Sequence, residues 1–455
     1  MNQSNEFLGT EPIGKLLRRL ALPAVAAQLI NMLYNIVDRI YIGHMPGNGS
    51  LALTGVGVCM PIIMIVSAFA ALVSMGSAPR SSIYMGKGDN DTAEKILGNS
   101  FVLMVLISAA LTAVLLLWNR PMLLAFGASE NTIGYAVDYM NIYALGTIFV
   151  QLTLGMNAFI TAQGFAKTSM LTVLIGAVCN IILDPVFIFA MNMGVRGAAL
   201  ATILSQAISC VWVVCFLCGK KTLLHLRKRN LRLEGKVILP CVALGIAPFI
   251  MQSSESIISV CFNSSLLKYG GDMAVGAMTI LSSVTMFAML PLQGLGQGAQ
   301  PIISYNYGAK NAARVKGAFW KLLQWSVSYA ALLWVLILVF PQLFAGIFTP
   351  DAQLIAFTKT ALRIYFAVMV VFGIQITGQM TFISIGNAGA SIAVAVVRKF
   401  VLLIPLIYLM PELFPAHKAL AVYAAEPVAD FLAVTFTTIL LAFQLRKALR
   451  SIESA

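Results

Sequence analysis

The chain has 455 residues, of which 59% are hydrophobic and 10% charged, and it carries a formal net charge of +13. A soluble domain carries roughly 25% charged residues, so water is excluded as the solvent for most of this surface. The basic excess invites a nucleic-acid partner, but its distribution along the chain excludes that reading.

Apolar runs long enough to cross a bilayer, about 20 residues each, recur from Leu16 to Phe443. They predict twelve spans near residues 16–42, 51–78, 96–118, 134–162, 168–191, 197–218, 237–266, 274–303, 317–340, 358–385, 391–410 and 419–445, joined by loops too short for a soluble domain. At the start, Leu22–Ala26 looks faintly like a cleavage region. The apolar segment before it is too short for a signal sequence, and the run continues to Ile42, so a retained first span is expected.

With these spans the loops alternate sides. One side receives Lys15, Arg18, Arg19, Arg80, Lys87, Lys95, Lys167, the basic linker at 219–236, Lys310, Arg314, Lys316, Lys321, Arg398, Lys399 and the tail Arg446, Lys447 and Arg450. The other side has Arg120, Arg196, Lys268, Lys359, Arg363 and Lys418, and only Arg39 lies inside a span. Positive charge stays cytoplasmic, which places both termini and the linker inside. The basic excess is therefore topological, and no nucleic acid is needed to explain it.

The seven cysteines fall in or beside apolar spans. Cys215 and Cys218 form a C-x-x-C without a second pair or a nearby histidine, so small buried hydrophobes are expected and no metal site. His44, His225 and His417 are far apart. No Ser/His/Asp or Cys/His constellation appears, so the chain is not expected to be an enzyme. Cys218-Gly-Lys-Lys-Thr222 lacks the leading glycine and the spacing of a phosphate loop. The driving force is then expected to be an ion gradient, with no cofactor beyond H⁺ or Na⁺.

The linker divides the chain into six spans plus six. Shifting the sequence by about 222 residues lays Gly76, Pro79, Ser82 and Gly86 over Gly298, Pro301, Ser304 and Gly308, and Gly164, Ala166 and Ser169 over Gly386, Ala388 and Ser391. The expected fold is an all-α polytopic membrane protein of two six-helix lobes. Residues 1–218 form the first lobe, 219–236 the linker and 237–455 the second, related by a pseudo-two-fold axis along the membrane normal. Gly and Pro in Pro79–Gly86 and Pro301–Gly308 are expected to shape turns at the ends of spans 2 and 8.

Polar groups inside spans are costly and mark functional candidates. Gln28, Asn31, Asn35 and Asp38 share one face of span 1. Asn180 and Asp184 lie one turn apart on span 5, with Pro185 next and expected to free a backbone carbonyl. Thr202 and Gln206 lie on span 6. Span 7 repeats the stripe with Gln252, Glu255, Ser259 and Asn263; span 8 offers Gln293, Gln297 and Gln300, and span 10 Gln375 and Gln379. Asp38, Asp184 and Glu255 are read as the deep acids. Met32, Met60, Met64, Met286 and Met289 suit adaptable packing against varied aromatic shapes.

These motifs resemble the multidrug and toxic compound extrusion (MATE) family over nearly the whole chain. The marks are Gly294-Leu-Gly-Gln-Gly-Ala-Gln-Pro-Ile-Ile-Ser-Tyr-Asn-Tyr-Gly-Ala309, Asn180-Ile-Ile-Leu-Asp184-Pro185 and Gly194-Val-Arg-Gly-Ala-Ala-Leu-Ala-Thr202. The resemblance implies twin lobes in a bacterial or archaeal cytoplasmic membrane and export of organic cations in exchange for H⁺ or Na⁺. No obligate protein partner is evident, and the other contacts are membrane lipids. It further implies an ion-coupling site at Asp38, Asn180, Asp184 and Thr202. With glutamines where the NorM branch has an acid in span 10, the sequence looks closer to the DinF branch. The rival reading is a lipid or lipid-linked saccharide flippase, which favours a cavity rich in Arg and Lys to hold phosphate.

Overall fold

The computed structural model describes residues 6–453, and every regular element among them is helical. The expectation for the termini themselves lies outside the described residues. A short α1 (Glu6–Thr10) precedes α2 (Ile13–Gly43), α3 (Gly49–Gly86), α4 (Asn90–Ala125), α5 (Ile133–Ala162), α6 (Ala166–Pro185) and α7 (Val195–Cys218). After the linker come α8 (Gly235–Gly308), α9 (Ala312–Val339), α10 (Pro341–Phe348), α11 (Ala352–Tyr365) and α12 (Met369–Ser384). The chain closes with α13 (Ala388–Val396), α14 (Ile404–Leu413) and α15 (Lys418–Glu453). Among the described residues ten helices are long and apolar enough to cross a membrane, and α11 with α12, bent by 50°, makes an eleventh.

The element α8 is written as one helix of 74 residues, but Gly271 sits inside it at φ 62° and ψ −160°. Only glycine adopts that conformation without strain, so the chain reverses there. A straight helix of that length would run to about 110 Å, several times a bilayer core. The α8 of the fold is therefore two arms, 235–270 and 272–308.

Repeat-related residues perform the same local tasks in both halves. Asp89 caps α4 by accepting from the Thr92 amide at 3.0 Å, and Asn311 caps α9 by accepting from the Arg314 amide at 3.1 Å. Ser82 Oγ donates to the Ala162 carbonyl at 2.8 Å, and Ser304 Oγ donates to the Ser384 carbonyl at 2.8 Å. Asn157 Nδ2 donates to the Ser169 carbonyl at 3.2 Å, while Gln379 Nε2 reaches the Ser391 carbonyl at 3.3 Å. The sequence repeat is thus a repeat of hydrogen bonds.

The segments Pro79–Gly86 and Pro301–Gly308 are not turns. They are the last turns of α3 and α8, and the loops begin after them. Their glycines serve close helix approach: a Cβ on Gly86 would fall 2.0 Å from the Tyr305 carbonyl oxygen, and one on Gly308 1.9 Å from that of Ile83. A second crossing brings α3 onto the first arm of α8, where a Cβ on Gly245 would stand 1.7 Å from the Leu72 carbonyl oxygen. The two halves thus meet backbone to backbone. An apolar cluster seals the joint, with Leu16, Leu17 and Leu20 of α2 against Ala299, Ile302 and Ile303 of α8.

Three further expectations need correction. Arg398 and Lys399 are not loop residues. They are buried within the continuous helical run Ala388–Leu413, in a π-helical stretch Val397–Leu403. Cys215 and Cys218 are exposed rather than buried, because they sit on the outward face at the end of α7. The basic linker is no loose tether. Gln163 Oε1 accepts from Thr222 Oγ1 and from the amides of Leu223 and Leu224, each at 2.9 Å. Glu94 accepts from the His225 amide at 3.1 Å and pairs with Arg227 at 2.9 Å; Asn99 Oδ1 accepts from the Glu234 amide at 2.6 Å. Helix α8 begins at Gly235, directly after that last contact.

Gln163→Leu strips one acceptor from three donors; Thr222 Oγ1 keeps the Leu224 carbonyl at 3.0 Å, but the amides of Leu223 and Leu224 lose their partner, at about 1–3 kcal/mol for each left buried. The expected result is a lower melting temperature and faster tryptic cleavage at Arg227–Arg229. An unchanged digestion pattern would count against the linker being held by this side chain.

Candidate functional site

A cavity of about 360 Å³ lies where the two halves meet. Its larger wall mixes small apolar side chains with uncharged polar ones. Gln28 and Asn31 come from α2, Asn157 from α5, Asn180 from α6, and Thr202 and Gln206 from α7. The facing wall presents Gln252, Gln293, Gln297 and Gln300 from the two arms of α8. Across the gap Gln28 Nε2 donates to Gln297 Oε1 at 3.2 Å. Amide side chains at helical spacing make such a wall because each lies a turn from the next. Interior polar groups of this kind cost less beside a wet cavity than against lipid.

Deeper in the first half lies the acid pair. Asp184 is fully buried, and Asn180 and Asp38 nearly so. Asn180 Nδ2 donates to Asp184 Oδ1 at 3.2 Å, and the Asp38 carboxyl lies beside that of Asp184. Tyr34 and Tyr139 stand beside the pair with Thr202 close to Tyr139, and Thr202 Oγ1 donates to the Ala198 carbonyl at 3.0 Å. After Pro185 the helix widens into a π-turn over Val186–Ala190, a distortion common at functional positions.

Three acceptor oxygens here, Asp38 Oδ1, Asp184 Oδ2 and Asn180 Oδ1, have no donor. Arg39, next in sequence to Asp38, is exposed and acts on Asp38 only through its charge, with no ion pair between them. Two adjacent buried carboxylates without a counter-ion are strongly disfavoured. The oxygen-only donor set fits a proton or a hard monovalent cation. Among the described residues no group of three or more His, Cys, Asp or Glu side chains is placed to hold a metal.

The sequence-derived candidates divide into three groups. Gln28, Asn31, Gln252, Gln293 and Gln297 line the cavity, together with Asn180 and Thr202, while Asp38 and Asp184 sit behind it. Asn35 turns back on its own helix, donating to the Asn31 carbonyl at 2.6 Å, and Ser259 and Asn263 are exposed farther along α8. Gln375 and Gln379 lie outside the cavity lining as interhelical bonds. Gln375 Oε1 accepts from Thr437 Oγ1 at 2.8 Å, and Gln379 Nε2 donates to Ser391 Oγ at 2.6 Å.

Glu255 is paired with Lys399. The methionines facing the cavity are Met75 and Met380, whereas Met64 and Met286 are exposed on the outer surface.

Sequence reasoning missed Asn157, one of three amides in span 4 whose spacing makes no single stripe to announce it. It also missed Glu426 and Asp430, two further acids inside the last span. Their spacing of four is visible, but their partner Arg398 is expected near one end of its span and not deep within it.

The MatE family model matches the chain twice, over residues 23–186 and 246–409. Similar curated proteins include the multidrug export protein MepA of Staphylococcus haemolyticus (strain JCSC1435), 24% identical over 425 residues, 93% of this chain and 92% of that protein. MepA of Staphylococcus aureus (strain N315) is 22% identical over 416 residues, 90% of this chain and 89% of that protein. Among solved structures, a MATE transporter in the bent conformation superposes with a TM-score of 0.92 at 21% identity, each chain wholly covered. An outward-facing multidrug resistance MATE transporter gives 0.90 at 21% identity, covering 98% of this chain and 99% of that one. With the family model covering both halves, the chain belongs to the MatE family of membrane transporters, and it is a transporter and not an enzyme.

Proposed function

We propose that this protein is a secondary active exporter of cationic, amphipathic organic compounds, driven by entry of H⁺ or Na⁺. The observation that carries this is the buried acid pair, with three donorless oxygens, placed directly behind a cavity shared by the two halves. Divided at Gly271 and joined across the bend between α11 and α12, the helices give twelve spans in two lobes of six. The two matches to the family support that division. Loop charge supports a cytoplasmic position for both termini and for the tightly crossed ends of α3 and α8.

In the outward-open state Asp38 and Asp184 take up the incoming ion, and Asn180 and Thr202 help to hold it. Neutralising the pair weakens the hold on a cationic drug, which leaves. In the inward-open state the ion dissociates and the acids are again available. Coupling through the first lobe, with Gln375 and Gln379 tied into the second, favours kinship with the DinF branch over the NorM branch. Both MepA relatives are named multidrug export proteins, which supports the substrate class. The flippase is less favoured because the cavity lining carries no Lys or Arg to hold phosphate.

The test is export of ethidium from liposomes holding the purified protein, first under a pH gradient and then under a sodium gradient. Transport under one gradient identifies the ion. No transport under either, with folded protein present, overturns the proposal.

A further inference from the structure

The second half contains a buried charge cluster that the coupling site does not use. Arg398 donates from Nε to Asp430 Oδ1 at 2.8 Å and from Nη2 to Glu426 Oε1 at 2.9 Å, with its guanidinium 4.8 Å from the ring centre of Phe372. Its neighbour Lys399 bonds Glu255 on the first arm of α8. The lysine side chain is 5% exposed, but that of Glu255 is 51% exposed. Arg398 is fixed on three sides. Lys399 is a flexible ammonium facing a carboxylate that is itself open.

Glu255 lies one turn beyond Gln252, which lines the cavity, and on the same face of α8. The exposed apolar residues Ile257 and Val260 form a separate stripe, roughly 100° or more around the helix. The carboxylate therefore belongs to the polar, cavity-side stripe. An organic cation at Glu255 must take the place of the lysine. The displaced ammonium has a destination, because the cluster holds three carboxylates against two basic groups, and Lys399 lies within electrostatic reach of Glu426.

Resting on the export reading above, we propose that Lys399 is a tethered counter-cation that competes with monovalent organic cations for Glu255. The pair thereby sets the charge selectivity of this wall. A neutral compound of similar size gains nothing by displacing the lysine. A cation must bind strongly enough to outcompete it, and once the cation leaves, Lys399 returns and discourages rebinding.

The experiment measures ethidium binding to the purified full chain in nanodiscs by fluorescence polarisation, with the neutral dye N-phenyl-1-naphthylamine alongside. Lys399→Met should bind ethidium on the order of tenfold more tightly, about one decade in Kd, with the neutral dye unchanged. Lys399→Arg keeps a competing cation and should resemble the wild type. Glu255→Gln with Lys399→Met removes both charges and should lose the gain, while leaving the net charge of the cluster unchanged. The proposal is overturned if Lys399→Met binds ethidium no more tightly, or if both dyes tighten equally, which would signal repacking. Failure of the wild type to bind ethidium would instead strike the export reading itself.

Discussion

Asp184→Asn protein is expected to insert and fold, yet to bind ethidium more weakly and to sustain no drug gradient in liposomes under either ion gradient. The amide is nearly isosteric with the carboxyl it replaces and keeps an oxygen for the Asn180 bond. It cannot bind and release a proton, and its NH₂ group would donate to the donorless oxygen of Asp38. The pair is then held as though its ion were always present. When a monovalent cation leaves for each proton that enters, the charges cancel, and each pH unit supplies about 1.4 kcal/mol, a factor of ten in gradient. Loss of coupling should therefore cut the steady-state ethidium ratio from tens towards one. Asp38→Asn should behave alike, because neither acid serves without the other. Concentrative export by either variant at the wild-type level would remove the pair from the mechanism.

Gly245→Val should abolish export by a different route. The first added carbon falls 1.7 Å from the Leu72 carbonyl oxygen. Backbone cannot rotate away as a side chain can, so α3 and α8 must separate by about 2 Å to restore ordinary contact. Overpacking of this kind typically costs about 1–3 kcal/mol, which lowers the melting temperature without unfolding the chain. Spin labels at Lys87 and Lys316 should report a wider separation at the basic ends, and ethidium should leak through both membrane faces without coupling. Normal export with unchanged label distances would show that this crossing is not a gate.

Much of this molecule was legible because a membrane simplifies the code. Without water in the bilayer core every backbone group must bond internally, so apolar runs became helices where hydropathy placed them. The repeat was legible for the same reason that it works: Ser82 and Ser304, or Asp89 and Asn311, make identical bonds in equivalent places. The acid pair was legible because Asp38 and Asp184 are expensive where they stand.

The rest depended on facts a linear pattern does not carry. Proline and glycine in Pro79–Gly86 suggested a turn, but Gly86 serves the close approach of Tyr305, 219 residues away in the chain, which local propensity cannot see. Gln375 and Gln379 had the spacing of a lining stripe, and whether an amide faces a cavity or a neighbouring hydroxyl is decided by packing. Arg398 and Lys399 looked like the edge of a loop because their compensating acids lie on two other helices.

The fastened linker limits how the molecule can move. Between Cys218 and Gly235 the chain is fixed to the first half by Glu94, Asn99 and Gln163, and the last of these ties ends at Glu234. The covalent pivot is therefore a single junction at the foot of α8, not a slack strap of some sixteen residues. A pivot that short transmits rotation well and translation poorly. Motion that leaves these ties intact would be a tilt of one half about that corner, and lengthening the chain there should loosen the mechanical coupling more than lengthening it anywhere else in the linker.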